Sequence, residues 1–194
     1  AVYWQLLPSN PARRVKPPKT KKPKMEFFND DECKVLIQSL TELTGSKLKY
    51  KVAILLDIFS GIRRGELIGL EWSDVDFKNE TININKSTQY LPENGIFDKD
   101  TKTESSNRIV PIPDYITKTL LEYKEWYDEQ KDICGDKWIE SNKLFVQDNG
   151  KPMHPDTIGK WFKPYIEELG LPTIKFHGIR HTNATLMIAN NVDI

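Results

Sequence analysis

Three side chains that could bind an anion or move protons stand close together in the segment FHGIRH near the C-terminal end of the chain. In a helix, His177, Arg180 and His181 would share one face, because residues three and four positions apart are neighbours. Cationic side chains at this spacing repel one another unless an anion or a carboxylate lies between them. The cluster therefore predicts a site for an anionic group.

A zinc site is the alternative interpretation of the same cluster, since histidines at positions i and i+4 can bind one metal ion. The metalloprotease pattern requires glutamate at the second position, where this chain has Gly178. The only other histidine is His154, so a third ligand is not evident. The pattern favours an anion site without a metal.

A second group with possible phosphate-binding chemistry is the pair Arg63 and Arg64, which lies in the mostly apolar segment SGIRRGELIGLEW. Glu66 follows Arg63 by three residues, close enough on one helical turn to hold its guanidinium by charge-assisted hydrogen bonds. Alone, this pair is also consistent with a purely structural ion pair. Lys102, in TKTESSNRIVPIP, directly precedes a candidate strand and by itself is an ordinary hairpin lysine.

The charge of the chain is zero overall but is unevenly distributed. Of 28 basic residues, seven fall within residues 10–24, where there are four prolines and no acid; they are Arg13, Arg14, Lys16, Lys19, Lys21, Lys22 and Lys24. Proline favours extended backbone, so the segment is predicted to be an extended strap and not a helix. Such a strap suits contact with a polyanion, and the alternative is a solvated tether.

Composition restricts the protein class. The longest apolar run, residues 52–59, is interrupted by Asp57 and is far shorter than the roughly 20 residues that span a bilayer. The two cysteines, Cys33 and Cys134, form no disulfide framework, which favours a reducing cytoplasm. The N-terminal residues lack a secretory signal, so we expect a cytoplasmic domain without membrane contact. We also expect that this domain was excised from a longer chain.

The elements that must position these side chains are mostly helical. N-cap residues and apolar periodicity predict helices after Asn29, over residues 52–59, from Asp114, over residues 155–169 and from the C-terminal cluster onward. Alternating β-branched residues predict strands over Thr81–Tyr90 and Asn107–Ile112, with turns between them and a short strand at KLFVQ. The predicted fold is mainly α with a small antiparallel β-sheet (α+β).

These motifs together resemble, in order along the chain, the tyrosine recombinases, or phage integrase family. SGIRRGELIGLEWSDVD is similar to the first arginine box of that family, TKTESSNRIVPIP to its lysine segment and HGIRHTNAT to its second box. The resemblance implies four catalytic residues with Glu66 in support; they are Arg63, Lys102, His177 and Arg180. It also implies that residues 1–9 end a preceding core-binding domain, 10–25 form a DNA-contacting interdomain linker, and 26–194 form an incomplete catalytic domain.

The implied reaction is site-specific recombination of DNA, such as integration or excision of a mobile element. In this family a tyrosine attacks a phosphodiester and forms a 3′-phosphotyrosine, which a 5′-hydroxyl of another strand later resolves. Two planar guanidiniums suit the extra charge on the non-bridging oxygens. The role implied for Lys102 is proton donation to the leaving 5′-oxygen. The role implied for His177 is to hydrogen-bond the phosphate or to move the proton of the nucleophile. No metal or cofactor is required, and the partners are double-stranded DNA and further protomers in a tetramer.

The family's nucleophilic tyrosine, preceded by a histidine or tryptophan, follows the second arginine box, whereas the last tyrosine here is Tyr165. We therefore expect the chain to lack the nucleophile, to bind duplex DNA and to form no covalent complex. The alternative function is a non-catalytic, sequence-specific DNA-binding module. The presence of all four catalytic positions favours the enzyme.

Overall fold

The computed structural model describes residues 2–16, 26–100 and 107–189. Within these ranges the helices are α1 (Asp30–Thr41), α2 (Leu48–Ser60), α3 (Arg64–Gly69), α4 (Asp114–Cys134), α5 (Thr157–Glu168) and α6 (His177–Ala189). The strands are β1 (Val75–Asp76), β2 (Thr81–Ile84), β3 (Lys86–Leu91), β4 (Gly95–Asp100) and β5 (Arg108–Pro111). The predicted class, mainly α with little antiparallel sheet, is confirmed. No helix in the described ranges has the length and apolar character needed to cross a membrane.

Helix α2 forms the centre of the molecule, because residues 52–59 are apolar apart from Asp57, and a helix with apolar residues on all sides is stable only when buried. Residues 52–58 of this helix are all buried, and α1, α3, α4, α5 and α6 each pack against it. The helix ends at Gly61, whose φ of 55° lies in the left-handed region. A side chain is disfavoured there, so Gly61 supplies a sharp end to the central helix.

Helix α1 begins where the sequence predicts. Asn29 accepts a hydrogen bond from the Glu32 backbone N–H, at 2.9 Å, and Glu32 accepts one from Asn29 N, at 2.8 Å. This reciprocal capping box satisfies two backbone donors that the first turn of a helix leaves free. Helix α5, by contrast, begins at Thr157, two residues later than predicted.

The prediction of one strand over residues 81–90 is wrong. The strand is interrupted at Asn85, whose side chain donates to Asp74 Oδ1 at 2.8 Å. Before the break, β2 lies between β1 and β5 in a three-stranded antiparallel sheet, and after it β3 pairs with β4 in a separate hairpin. Alternation persists through both strands, so it gives no signal of a change of partner. The predicted strand at KLFVQ contributes only isolated bridges, one of which joins Val146 to Pro152.

The basic strap is described only in part. Residues 11–14 form a turn of 3₁₀ helix that begins after Asn10, whose side chain accepts from Ala12 N at 3.0 Å, so the prediction of a wholly extended segment is wrong here. Proline at the first position of the turn has a φ that suits a helical start. Arg13, Arg14 and Lys16 are exposed. Lys19, Lys21, Lys22 and Lys24 lie outside the described residues.

The β3–β4 hairpin is fastened to the body of the protein beside α3. Lys143 is buried, and its ammonium donates to Asp98 of β4 at 2.6 Å and to Glu71 at 3.2 Å. On the other side, a Cβ atom at Gly65 of α3 would lie only 2.5 Å from Ser87 Oγ of β3. The absence of a side chain at Gly65 therefore allows β3 to lie directly against the helix that follows Arg63.

Candidate active site

Arg63 is held at the N-terminal end of α3 by a buried carboxylate. Its guanidinium donates to Glu66 Oε1 at 2.9 Å, and its backbone N–H donates to Glu66 Oε2 at 3.2 Å. The Glu66 side chain is 4% exposed, whereas that of Arg63 is 60% exposed. The ion pair predicted from the spacing is therefore present, and it leaves much of the Arg63 guanidinium open to solvent.

Arg108 is a member of this cluster that the sequence analysis missed. From β5 its guanidinium donates to Glu66 Oε2 at 2.8 Å, so the two arginines share one carboxylate. Burial raises the pKa of Glu66, but the hydrogen bonds from Arg108 and Arg63 outweigh it and hold the pKa below its ordinary value. Glu66 is thus ionised near neutral pH. The signal in the sequence was Glu66, an acid in an apolar segment. Its carboxylate has two oxygens, and Arg63 is the one partner close to it along the chain, so a second cation could have been expected.

Helix α6 brings Arg180 to the same place. The Arg180 guanidinium donates through Nη1 to the carbonyl oxygen of Gly61, in a close contact at the end of α2. One turn later, Asn183 Nδ2 donates to the carbonyl oxygen of Ile58 at 2.6 Å. A Cβ atom at Gly61 would lie 2.7 Å from Asn183 Oδ1, so the glycine is needed for this approach as well as for the turn.

The N-terminal half of α6 is anchored independently of the arginines. Thr182 is buried; its hydroxyl accepts from Phe28 N at 3.0 Å and donates to the Gly178 carbonyl oxygen at 3.1 Å. The chain that leaves the strap is thereby joined to the helix that carries His177 and Arg180. The two predicted arginine boxes themselves meet through the hydrogen bond from Arg180 to the Gly61 carbonyl oxygen.

The site has an excess of positive charge. Burial lowers the pKa of Arg180, and the positive charges of Arg63 and Arg108 lower it further, while Glu66 and Asp57 act in the opposite direction. Three guanidiniums therefore lie near one ionised carboxylate. This arrangement can stabilise a dianionic group such as a phosphate in its transition state.

His177 lies at the edge of this positive region. Its ring centroid is 5.0 Å from that of His181, with the planes at 82°. Partial burial lowers the pKa of His177, and the positive charges of His181, Arg180, Arg63 and Arg64 lower it further. The imidazole is therefore neutral near pH 7 and can accept a hydrogen bond or a proton.

The other predicted site features are placed as follows. Lys102 lies outside the described residues. His154 lies against Tyr90 with a centroid distance of 4.5 Å, and its Nδ1 accepts from Asp156 N at 3.1 Å. Among the residues that the structure describes, no group of three or more histidine, cysteine or acidic side chains has an arrangement that would hold a metal ion.

Comparison with known proteins assigns the family. Residues 26–194 match the domain described as the phage integrase family. The chain belongs to this family. Its similar proteins include a XerC-like tyrosine recombinase of Caldanaerobacter subterraneus subsp. tengcongensis, 28% identical over 97% of this chain and 48% of that protein. Another is the ICEBs1 integrase of Bacillus subtilis, 28% identical over the whole chain and 51% of the relative. The chain thus spans about half the length of the curated relatives it matches.

Solved structures agree on the fold. The Tn1549 transposon integrase in complex with circular intermediate DNA superposes with a TM-score of 0.74 at 20% identity, over 89% of this chain and 57% of the other. The XerA recombinase gives a TM-score of 0.65 at 23% identity, over 92% and 54% respectively. This phage integrase domain therefore has the fold of known tyrosine recombinases.

Asp57 is a buried acid behind the arginines of this phage integrase domain. It is 1% exposed, and its Oδ1 has no hydrogen-bond partner among the described residues. Burial raises the pKa of Asp57 well above its ordinary value, although the positive charge of Arg180 opposes this shift. The folded protein therefore retains a proton on Asp57 at pH values where the unfolded chain has released it.

The resulting prediction is a pH-dependent gain in stability for Asp57→Asn. In the wild type, the stability associated with this proton is fully present below pH 3.8, the ordinary pKa, and is lost as the pH rises towards the folded pKa. An amide does not ionise, so the free energy of unfolding of the variant at pH 7 should be about 1 to 3 kcal/mol higher than that of the wild type. Urea unfolding at several pH values measures the difference, which should vanish below about pH 4.

Asp136→Asn is the matched control, because Asp136 is exposed. The control variant should unfold like the wild type at each pH. A gain for Asp57→Asn that is the same at pH 4 and pH 7 would contradict the assignment of a buried, protonated carboxyl.

Proposed function

We propose that this chain is the catalytic domain of a site-specific recombinase that cleaves and rejoins duplex DNA through a 3′-phosphotyrosine. The observation that carries the proposal is the meeting of Arg63 and Arg180 at the junction of α2, α3 and α6. One is held by the Glu66 carboxylate and the other by the Gly61 carbonyl oxygen. Each is fixed at one end and has donors left for a phosphate.

The proposed roles follow from charge and geometry. Arg63 and Arg180 bind the non-bridging oxygens of the scissile phosphate, since each guanidinium offers paired donors in one plane. Neutral His177 accepts a hydrogen bond or takes up a proton during the transfer. Glu66 and Arg108 position Arg63 and do not touch the phosphate. Lys102 is proposed, from its sequence motif, as the donor to the leaving 5′-oxygen.

The remaining parts of the proposal concern the larger protein. Residues 1–9 are assigned to the end of a core-binding domain, residues 10–25 to a basic linker that contacts DNA, and residues 26–194 to the catalytic domain. The partners are double-stranded DNA and other recombinase protomers in a tetramer, in the cytoplasm. The arginines supply the positive charge of the reaction, so the proposal includes no cofactor or metal.

The test is a covalent trapping experiment on duplexes selected from a random pool by binding to the chain. A nick near the bound site lets a short cleaved product diffuse away, so any protein–DNA adduct accumulates and is seen on a denaturing gel. The 194-residue chain should bind these duplexes without forming an adduct. A chain extended past Ile194 by a segment with the family's tyrosine should form one.

Two results would count against the proposal. Failure of the 194-residue chain to bind duplex DNA at low salt would remove the substrate class. A covalent adduct of that chain alone would show that one of its own tyrosines is the nucleophile. The nucleophile would then lie before the second arginine box and not after it, as the family resemblance implies.

A further inference from the structure

Arg64 lies between two clefts that flank the candidate active site. One cleft, of about 650 Å³, is lined by Arg64 together with His177, Lys163 and Lys175. The other, of about 510 Å³, is lined by Arg64 together with Arg63 and the β3 residues 87–90. Arg64 thus lies beside both clefts, and each cleft also contains one of the proposed catalytic residues.

The first cleft has the charge expected for a DNA strand. Among the described residues, its lining includes the cations Arg64, Lys163 and Lys175, the aromatic ring of Phe176 and one acid, Glu26. The Lys163 ammonium is 3.9 Å from Glu167, so that charge is only loosely paired. The positive charge of Arg64 also contributes to the lowered pKa of His177, which places the guanidinium within electrostatic range of the site.

The Arg64 guanidinium is paired with a carboxylate of the same chain. The Arg64 guanidinium donates to Asp156 Oδ1 at 2.7 Å, and the two side chains are 48% and 46% exposed. Asp156 itself lines the second cleft and precedes α5. A solvent-exposed ion pair of this kind contributes only about 0 to 1 kcal/mol, so another anion can displace the carboxylate.

We propose that Asp156 is an internal substitute for a DNA phosphate, which takes its place on Arg64 when duplex DNA binds. The phosphate would be a neighbour of the one held by Arg63 and Arg180, because Arg64 lines one cleft together with Arg63 and the other together with His177. This inference rests on the proposed function. Arg64 strengthens DNA binding, whereas Asp156 weakens the binding of every duplex. A strand must displace the Asp156 carboxylate from Arg64 before it enters the site.

The test is a double-mutant cycle on the 194-residue chain, with duplex affinity measured by fluorescence anisotropy over a range of salt concentrations. Asp156→Asn should tighten binding up to about fivefold, because the competing carboxylate is gone. Arg64→Gln should weaken binding and reduce the slope of log affinity against log salt by about 0.9, the value for one phosphate. In the double variant, loss of Asp156 should no longer tighten binding.

The exposed pair Lys118 and Asp114 on α4 provides the matched control, with atoms 2.6 Å apart and no part in either cleft. Asp114→Asn makes the same change in net charge as Asp156→Asn, so only an excess over this control supports the inference. Thermal unfolding of each variant confirms that it is folded.

The outcomes separate the inference from the function on which it rests. Suppose that the wild type binds duplex DNA. The inference is then wrong, and the function stands, if Asp156→Asn has the same effect as Asp114→Asn. The same conclusion follows if Asp156→Asn still tightens binding in the Arg64→Gln background. A purely structural pair would instead lower stability in both single variants and leave DNA affinity unchanged, which also overturns it. If the wild type does not bind duplex DNA, both proposals fail.

Discussion

Arg180→Lys is expected to reduce DNA strand cleavage at least about 100-fold, the scale of losing one fixed donor to a transition-state oxyanion. The measurement requires the chain extended past Ile194 with the family's tyrosine. Arg180 donates through Nη1 to the Gly61 carbonyl oxygen, and in the proposed mechanism its other donors bind the phosphate. A lysine ammonium is a single point of charge and lacks the planar fork, so it cannot keep both contacts in the same geometry.

DNA affinity should change much less than cleavage, since the substitution keeps the charge. Arg13→Lys is the matched control, because Arg13 is exposed in the strap and far along the chain from both boxes. That variant should cleave like the wild type. Arg63→Lys should lose cleavage as Arg180→Lys does. If cleavage survived both changes and a chelator abolished it, the zinc interpretation of His177 and His181 would replace the arginine mechanism.

Removal of residues 1–24 is expected to flatten the salt dependence of DNA binding by up to about six in the slope of log affinity against log salt. The segment has seven basic residues and no acid, and each phosphate that a cation neutralises contributes about 0.9. Affinity for cognate and random duplexes should fall together, because phosphate contacts do not read sequence. Salt titrations of the intact and shortened chains measure both effects.

The control for this deletion keeps the length of the strap and replaces its seven cations with glutamine. It should match the deletion if charge is what binds DNA. Lys102→Ala, which removes one cation elsewhere, should change the slope by no more than about one. An unchanged slope on deletion would mean that the strap is only a tether between domains.

The sequence by itself determined the parts of the site that depend on neighbours along the chain. The capping box of α1 is a three-residue relation, and so is the pair of Arg63 with Glu66. Both follow from helix geometry, in which residues three apart meet whatever the rest of the fold does. The motif order was likewise sufficient to identify the family, which the match over residues 26–194 confirmed.

Only the tertiary structure decided which distant groups hold the arginines. Arg108 reaches Glu66 across 42 positions, Arg64 reaches Asp156 across 92, and Arg180 reaches Gly61 across 119. These contacts depend on the docking of α6 on α2 and on the division of residues 81–91 between two sheets. Alternation and helical periodicity indicate which face of an element is buried, but not which partner covers it. The partners were therefore set by packing over the whole chain.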